Sequence, residues 1–154
     1  MASTDKVISR KDGNVGYVIF NNPERRNAMS LNMWEATTRL MNEYAKDDTI
    51  RVVVLAGAGD KAFVAGADIS KFGDERATEE GVKKYNDAVE AAYASVHEFP
   101  KPTIAMIRGF CVGGGMGIAS CCDLRICSED ARFAVPAAKL GLGYGYPGVK
   151  RLMD

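Results

Sequence analysis

Apolar residues form two kinds of pattern that take turns along the chain: short unbroken runs, and stripes with helical spacing. The runs at residues 16–20, 51–56, 103–107, 123–127 and 132–135 predict β-strands. The stripes predict one helix from Ser30 to about Lys46 and another from Thr78 to the prolines at 100 and 102. Runs 51–56 and 103–107 contain no polar alternation, which is typical of strands covered on both faces. The alternation of strands and helices predicts an α/β fold.

The two stripes identify the helix faces that we expect to be buried. The stripe residues of the first helix are Trp34, Thr37, Leu40, Met41 and Tyr44, and those of the second are Val82, Tyr85, Val89, Ala92, Tyr93 and Val96. Ser30 is expected to cap the first helix, because serine hydroxyls accept the free N–H groups of a helix start.

Glycine is concentrated in the second half of the chain, where nine of the 16 glycines lie between Gly109 and Gly148. Glycine permits close backbone approach and positive φ, so this clustering predicts a site built from backbone groups. A small-residue helix is expected after residues 113–117, and another helix begins near Pro147. We interpret residues 1–154 as one domain that is truncated at its C-terminal end.

The composition is that of a globular protein and excludes several classes of function. Apolar residues make up 47% of the chain, and 20 basic residues balance 20 acidic ones. Without a bulk charge, we expect neither nucleic acid nor an anionic membrane as a partner. Residues 1–5 lack the pattern of a signal peptide, and residues 102–122 are too polar and glycine-rich for a membrane span. These features predict a cytoplasmic protein.

Metal and histidine chemistry have little support in this sequence. The four cysteines contain no C-x-x-C pair and are expected to be small buried residues, so no metal site is predicted. The single histidine, His97, follows an apolar stripe and is expected to be solvated rather than catalytic.

Residues 57–62 match the dinucleotide pattern G-x-G-x-x-[GA] after a strand, with Asp74 at the distance of a ribose-binding acid. That pattern requires a helix to open at once, and Gly66 interrupts the segment. A dinucleotide-binding oxidoreductase therefore remains one alternative, with a plain surface loop as the other.

Two glycine-containing turns follow predicted strands and suggest a different chemistry. Residues 65–69 follow the strand at 51–56, and Gly113–Gly115 lies between the strand at 103–107 and a helix. Each turn can present a free backbone N–H at the end of a parallel strand. Two such groups that converge on one carbonyl oxygen form an oxyanion hole, and the helix dipole behind Gly114 adds positive potential.

At these residues the chain resembles the crotonase family, also called the enoyl-CoA hydratase/isomerase family. The matching segments are residues 22–30, 62–69, 107–115 and 122–126, in family order. The resemblance implies a spiral of β-β-α units, without the family's usual C-terminal helices, that binds an acyl-CoA thioester. It also implies homotrimers, often paired into hexamers. Coenzyme A would enter as part of the substrate, with no separate cofactor.

Site residues follow from the resemblance position by position. The N–H groups of Ala67 and Gly114 would hold the thioester oxygen. The residues implied in binding coenzyme A are Arg26 and Ala28 along its length, Ala65, Asp68 and Ile69 near its adenine end, and Gly113.

The chain departs from the family at its acid positions. Hydratases carry a glutamate where this chain has Gly117 and another where it has Ala137, and the loop at 141–146 lacks the aspartate of related isomerases. Water addition needs a proton donor and a base within reach, so classical hydration is doubtful. The open alternatives are another enolate-forming reaction, a non-catalytic acyl-CoA binder, and decarboxylation of a methylmalonyl-type thioester. In the last case Tyr144 would contact the substrate carboxylate, although Tyr144 and Tyr146 could instead be packing residues.

Overall fold

The computed structural model describes residues 5–153, apart from the side chain of Leu140. Residues 1–4, which belong to the segment predicted to lack a signal peptide, and Asp154 lie outside this range. The strands are β1 (Val7–Asp12), β2 (Val15–Phe20), β3 (Val52–Gly57), β4 (Ala62–Val64), β5 (Thr103–Ile107), β6 (Phe110–Val112), β7 (Leu124–Cys127) and β8 (Arg132–Ala134). The helices are α1 (Leu31–Ala45), α2 (Phe72–Glu75), α3 (Glu79–His97), α4 (Gly114–Ser120) and α5 (Tyr146–Met153), and short 3₁₀ segments cover Pro23–Arg25, Ile69–Lys71 and Ala137–Leu140.

The strands form two sheets whose order reveals a repeated unit. One sheet has the order β1-β2-β3-β5-β7, and the other has the order β4-β6-β8. Only the β1–β2 pair is antiparallel; the remaining pairs are parallel. The units β3-β4-α3, β5-β6-α4 and β7-β8-α5 each place their first strand in the larger sheet and their second in the smaller one. This stacking confirms the predicted α/β spiral of β-β-α units.

The core lies where α1 and α3 pack together, and the predicted stripes are the buried faces. All five stripe residues of α1 are buried; in α3, Tyr85, Ala92, Tyr93 and Val96 are buried, and Val82 and Val89 are partly exposed. The rings of Trp34 and Tyr93 meet edge to face at 5.5 Å. The central strand β3 pairs with β2 on one side and β5 on the other, with Leu55 opposite both Val18 and Ala105.

Strands β1, β4 and β6 were not predicted. The sequence of β1, VISRKD, has no apolar run or alternation that would predict a strand, and only its first residue, Val7, is buried. Strands β4 and β6 have three residues each and adjoin glycines, and they are held in place by pairing with each other. The prediction that residues 57–66 form a loop is therefore wrong for residues 62–64, which form β4. The dinucleotide alternative is wrong for the same reason, because a strand follows residue 61 where that motif requires a helix.

The cap of α1 and one of the four cysteines differ from the expectations, and His97 agrees with its expectation. Ser30 occupies the N-cap position of α1 but makes no side-chain cap; the Glu75 carboxylate instead accepts the N–H of Leu31 at 3.2 Å. Cys127 is exposed, against the expectation that all four cysteines are buried, because it lies on the edge strand β7. His97 is exposed at the end of α3, as predicted.

Within residues 5–153, no helix is long and apolar enough to cross a membrane. The same residues contain no group of three or more His, Cys, Asp or Glu side chains placed to hold a metal ion.

Candidate functional site

The two predicted glycine turns lie side by side, because each leaves the C-terminal end of a neighbouring parallel strand. Val64 of β4 pairs with Cys111 of β6, and the chain continues from these strands into residues 65–68 and into Gly113. The sequence assigned these turns to β3 and β5, and that assignment is wrong. The short strands β4 and β6 separate the turns from the larger sheet and bring them together.

Backbone contacts between the two turns are close. A Cβ added to Gly113 would lie 3.8 Å from the Cα of Gly66, and one added to Gly66 would lie 3.6 Å from the carbonyl oxygen of Val112. Gly66 and Gly113 also have φ of +106° and +54°, which favour glycine. A Cβ would make only ordinary contacts at either position, so the positive φ is what favours glycine there.

The N–H of Ala67 is left without an acceptor by the way its neighbours bond. Met29 and Ala67 form an isolated parallel bridge. The N–H of Met29 donates to Gly66 O at 2.8 Å, and that of Asp68 donates to Met29 O at 2.8 Å. In the described part of the chain, no acceptor faces the N–H of Ala67, which is a partly exposed residue.

The N–H of Gly114 is also unused. Gly114 is the first residue of α4, and the first N–H groups of a helix have no intrahelical acceptor. Gly113 beside it donates its N–H to Ala134 O at 2.8 Å, which anchors the turn to β8. Among residues 5–153, none accepts the N–H of Gly114. Within residues 5–153, both N–H groups that the family resemblance implies therefore lie without an acceptor on adjoining turns.

The segment around Arg26 is held rigidly next to the first turn. Arg26 and Asn27 both have positive φ, 52° and 56°. Asn27 is fully buried, and its side-chain amide donates to Ala58 O at 3.0 Å and to Ala62 O at 2.7 Å. The N–H of Ala65 donates to Arg26 O at 3.1 Å, which joins two of the predicted coenzyme A residues.

Exposed charge accompanies this segment. The Arg26 guanidinium carbon lies 5.1 Å from the ring centroid of Phe110, and Arg26 lines a cavity of about 300 Å³ together with Lys61. Ala28 is partly exposed beside it. The same cavity is lined by Glu24 and Asp60, so its charge is mixed, and Arg26 and Lys61 are the side chains in it that can bind phosphate groups.

Asp68 and Ile69 differ in surroundings. Asp68 is buried, and its carboxylate accepts the N–H of Ser70 at 3.2 Å and its hydroxyl at 2.6 Å. This carboxylate caps the 3₁₀ segment that follows it. The Ile69 side chain is 62% exposed and free to contact a ligand.

Gly117, the position of a family glutamate, faces the hydroxyl of Tyr93. A Cβ on Gly117 would overlap that hydroxyl and lie 2.6 Å from Cζ of the ring. The same hydroxyl donates to Gly114 O at 3.4 Å. Burial raises the pKa of Tyr93 far above its usual range. The sequence predicts only that Tyr93 lies on a buried stripe. The feature that could have singled it out is its hydroxyl, which it shares with Tyr85 on a face of apolar side chains.

Tyr144 and Tyr93 line the same cavity. This cavity has a volume of about 250 Å³ and is also lined by Gly117, Glu90 and Arg151. Burial raises the pKa of the Tyr144 hydroxyl, which is partly exposed. Arg151 Nη2 donates to Glu90 Oε2 at 3.1 Å, and the Arg151 guanidinium carbon lies 5.3 Å from the Tyr93 ring centroid.

The other positions of interest do not supply an acid. Ala137 begins the 3₁₀ segment Ala137–Leu140 and is partly exposed. The Tyr146 side chain is 77% exposed, so it makes little packing contact with the described residues. The Tyr93 hydroxyl is a proton-bearing group that contacts both Gly114 O and the Cβ position of Gly117.

Residues 10–153 match the family model described as enoyl-CoA hydratase/isomerase. The chain is 38% identical over 148 residues to a short-chain-enoyl-CoA hydratase of Clostridium acetobutylicum, covering 96% of this chain and 56% of that protein. It is 32% identical over 158 residues to the mitochondrial Delta(3,5)-Delta(2,4)-dienoyl-CoA isomerase of Mus musculus, covering 94% of this chain and 47% of that one.

Solved structures show the same fold. The structure is similar to a crystal structure of an enoyl-CoA hydratase/carnithine racemase from Magnetospirillum magneticum, with a TM-score of 0.92 and 38% identity. The superposition covers 97% of this chain and 56% of the other. The chain spans about half the length of the curated relatives that it matches.

Proposed function

Because this chain belongs to the enoyl-CoA hydratase/isomerase family, we propose that it acts on an acyl-CoA thioester and stabilises the thioester enolate. The N–H groups of Ala67 and Gly114 would bind the enolate oxygen. The observation that carries the proposal is that, among residues 5–153, neither group has an acceptor, and the two turns that hold them adjoin. Coenzyme A enters as part of the substrate, and no further cofactor is proposed.

Two preorganised donors suit this reaction because the enolate oxygen gains negative charge as the reaction proceeds. Each donor aimed at such an oxygen lowers the barrier by roughly 2.7–4 kcal/mol. The Gly114 donor is also the first N–H of helix α4, so the positive end of that helix faces the same charge. Neither donor must reorganise, because the Met29 bridge and the Gly113 hydrogen bond already hold both turns.

Coenzyme A is proposed to extend from these turns along the segment that contains Arg26 and Ala28. In the cavity lined by Arg26 and Lys61, these two cations would bind its phosphates, next to the acidic Glu24 and Asp60 of the same lining. The exposed Ile69 side chain, with Ala65 and Asp68, would lie near the adenine, and Gly113 would lie along the thioester.

A second candidate, decarboxylation of a malonyl-type thioester, is favoured by the surroundings of Gly117. The Tyr93 hydroxyl fills the space in which a glutamate side chain would begin, so position 117 supplies no carboxylate, and the Glu90 carboxylate in the same cavity wall is paired with Arg151. Loss of CO₂ creates the enolate without removal of an α-proton, and the oxyanion hole receives the charge directly. Tyr144 would contact the departing carboxylate from the wall of the 250 Å³ cavity.

One experiment separates these reactions. Purified protein is given methylmalonyl-CoA or ethylmalonyl-CoA with CO₂ release followed, and crotonyl-CoA with hydration followed. CO₂ release without hydration supports the decarboxylase, and fast hydration contradicts the role assigned to Gly117 and Ala137. Binding of acyl-CoA without turnover of either substrate would identify a non-catalytic binder. A loss of CO₂ release in Tyr144→Phe would support the contact between that hydroxyl and the carboxylate.

Assembly and location are also proposals. We propose a homotrimer or hexamer, because apolar side chains of β7 and β8 are exposed on neighbouring edges of the fold. A cytoplasmic location stays a prediction from the sequence, and so does the lack of nucleic-acid or membrane partners.

A further inference from the structure

We propose that the hydroxyl of Tyr93 is the proton donor that converts the thioester enolate into product by protonating its α-carbon. This inference rests on the proposed function, since it requires an enolate bound next to Gly114. Tyr93 lies at neither of the two positions, 117 and 137, where the family's hydratases carry a glutamate.

The position of the hydroxyl is the first support. It lies against both Gly114, whose carbonyl accepts it at 3.4 Å, and Gly117, whose Cβ position it occupies. The N–H of the same Gly114 is one arm of the proposed oxyanion hole. The hydrogen bond to the carbonyl is long for an O–H donor, so the proton is only weakly held and can turn toward the cavity that Tyr93 and Gly117 both line.

The protonation state is the second support. The titratable and charged groups near Tyr93 are Glu90 on its own helix, Tyr85, Cys121, Tyr144 and Arg151. Burial is the largest influence, and it holds the pKa of the phenol far above neutral pH. The group is therefore protonated at neutral pH, as a proton donor must be, and it is excluded as the base in the resting enzyme.

The ring is held in place, and a cation lies near it. Trp34 packs edge to face against the Tyr93 ring at 5.5 Å. The guanidinium carbon of Arg151 lies 5.3 Å from the centroid of that ring. Removal of the proton leaves a phenolate beside the Arg151 guanidinium, which is itself paired with Glu90.

The steps balance for the decarboxylation route. The bond from the α-carbon to the carboxylate breaks, CO₂ leaves, and the electron pair passes to the thioester oxygen. The α-carbon then takes the proton of Tyr93, so that a C–H bond forms and the O–H bond breaks. Water in the cavity returns a proton to the phenolate, and the resulting hydroxide combines with CO₂ to give hydrogencarbonate. The net change is loss of the carboxylate and gain of one hydrogen on carbon.

The test is the stereochemistry of deuterium uptake in D₂O. Wild-type protein is given methylmalonyl-CoA and crotonyl-CoA, and the configuration at the deuterium-bearing C2 is determined, from the two enantiomers of propionyl-CoA and from the two C2 epimers of 3-hydroxybutyryl-CoA. A fixed donor delivers deuterium to one face. We expect one configuration at C2 from the wild type, and from Tyr93→Phe a nearly equal mixture, formed about 100-fold more slowly.

Tyr85→Phe is the matched control, because Tyr85 is also a buried tyrosine on α3. Its hydroxyl accepts the indole N–H of Trp34 at 3.1 Å and does not line the 250 Å³ cavity. This variant should keep the wild-type stereochemistry. If Tyr93→Phe does not fold, Gly117→Ala gives the same readout, because its added methyl displaces the Tyr93 hydroxyl.

The outcomes separate the two proposals. A single configuration at C2 retained in Tyr93→Phe overturns the assignment of Tyr93 and leaves the enolate proposal standing. A wild type that turns over neither thioester overturns the enolate proposal and this assignment with it. Loss of stereospecificity in Tyr93→Phe but not in Tyr85→Phe supports the assignment.

Discussion

Met29 and Ala67 lie opposite each other in a single parallel bridge, and all of its hydrogen bonds use the residues that flank Ala67. The bridge therefore fixes the Ala67 peptide while leaving its N–H without an acceptor in the described residues. Met29 is fully buried, so a residue of the core holds a donor at the edge of the site. This relationship makes the oxyanion hole testable by removing single donors.

Gly114→Pro removes one proposed donor, and Gly114→Ala provides a matched control that keeps the N–H. A Cβ at this position lies 3.0 Å from Cζ2 of Trp34, so both variants introduce the same tight contact. We expect kcat to fall about 100- to 1,000-fold in the proline variant relative to the alanine variant, with similar affinity for butyryl-CoA. Equal kcat in the two variants would remove Gly114 from the mechanism.

Gly117→Ala should destabilise the protein although alanine favours helices. Its Cβ overlaps the Tyr93 hydroxyl, and Tyr93 is held by Trp34. We expect urea unfolding to show a loss of about 1–3 kcal/mol. Gly73→Ala is the control, because Gly73 is also helical and its Cβ meets nothing within 4 Å. That variant should gain about 0.5–1 kcal/mol, and a loss of equal size in both would contradict the overlap.

Glu75→Gln tests the carboxylate that caps α1. Burial raises the pKa of Glu75 above 4.5, although the N–H of Leu31 opposes this. Because the folded state holds the proton more tightly, the stabilising contribution is complete below about pH 4.5 and is lost as pH rises through the folded pKa. Stability of Glu75→Gln relative to wild type should therefore increase between pH 4 and 7 in urea titrations. A difference that does not change with pH would contradict this prediction.

Asn27→Asp should weaken both the fold and coenzyme A binding. The Asn27 amide donates to Ala58 O and Ala62 O from a fully buried position. A carboxylate has no N–H, so two carbonyls lose their donor and face a negative charge. We expect a loss of about 2–3 kcal/mol in unfolding free energy and a higher Kd for coenzyme A by calorimetry. Asn42→Asp, an exposed change on α1, should alter neither quantity.

Ile126→Lys should disrupt the proposed homotrimer or hexamer. The Ile126 side chain is 60% exposed on edge strand β7, and Leu124 on the same strand is 56% exposed. A lysine at this position would place a charge in the expected contact. Light scattering should show an assembly for the wild type and a smaller mass for the variant. Ile8→Lys, on the opposite edge strand β1, is the control, and a wild-type monomer would contradict the proposal.

Local patterns in the chain were sufficient for the elements that make up most of the core. The run at 103–107 predicts β5 with the bounds that the structure has, and the stripe of α1 contains only buried residues. These predictions succeed because a fully covered strand and an amphipathic helix each impose their own periodicity on neighbouring residues. The two glycine turns could also be predicted, because glycine marks backbone that can be approached closely, and the family resemblance then implied Ala67 and Gly114 as the donors.

The elements that assemble the site depended on contacts between distant parts of the chain. Strands β4 and β6 are too short to show a period, and they exist because Ala62–Val64 finds Phe110–Val112 as a partner. Tyr93 lies on α3 and Gly117 on α4, far apart in the sequence. Their contact therefore cannot be predicted from local patterns and arises only because α3 packs beside α4. Periodicity reports which face of an element is buried, but not which atom of another element lies against it. The proton-bearing group next to Gly117 therefore emerged only when the helices were packed.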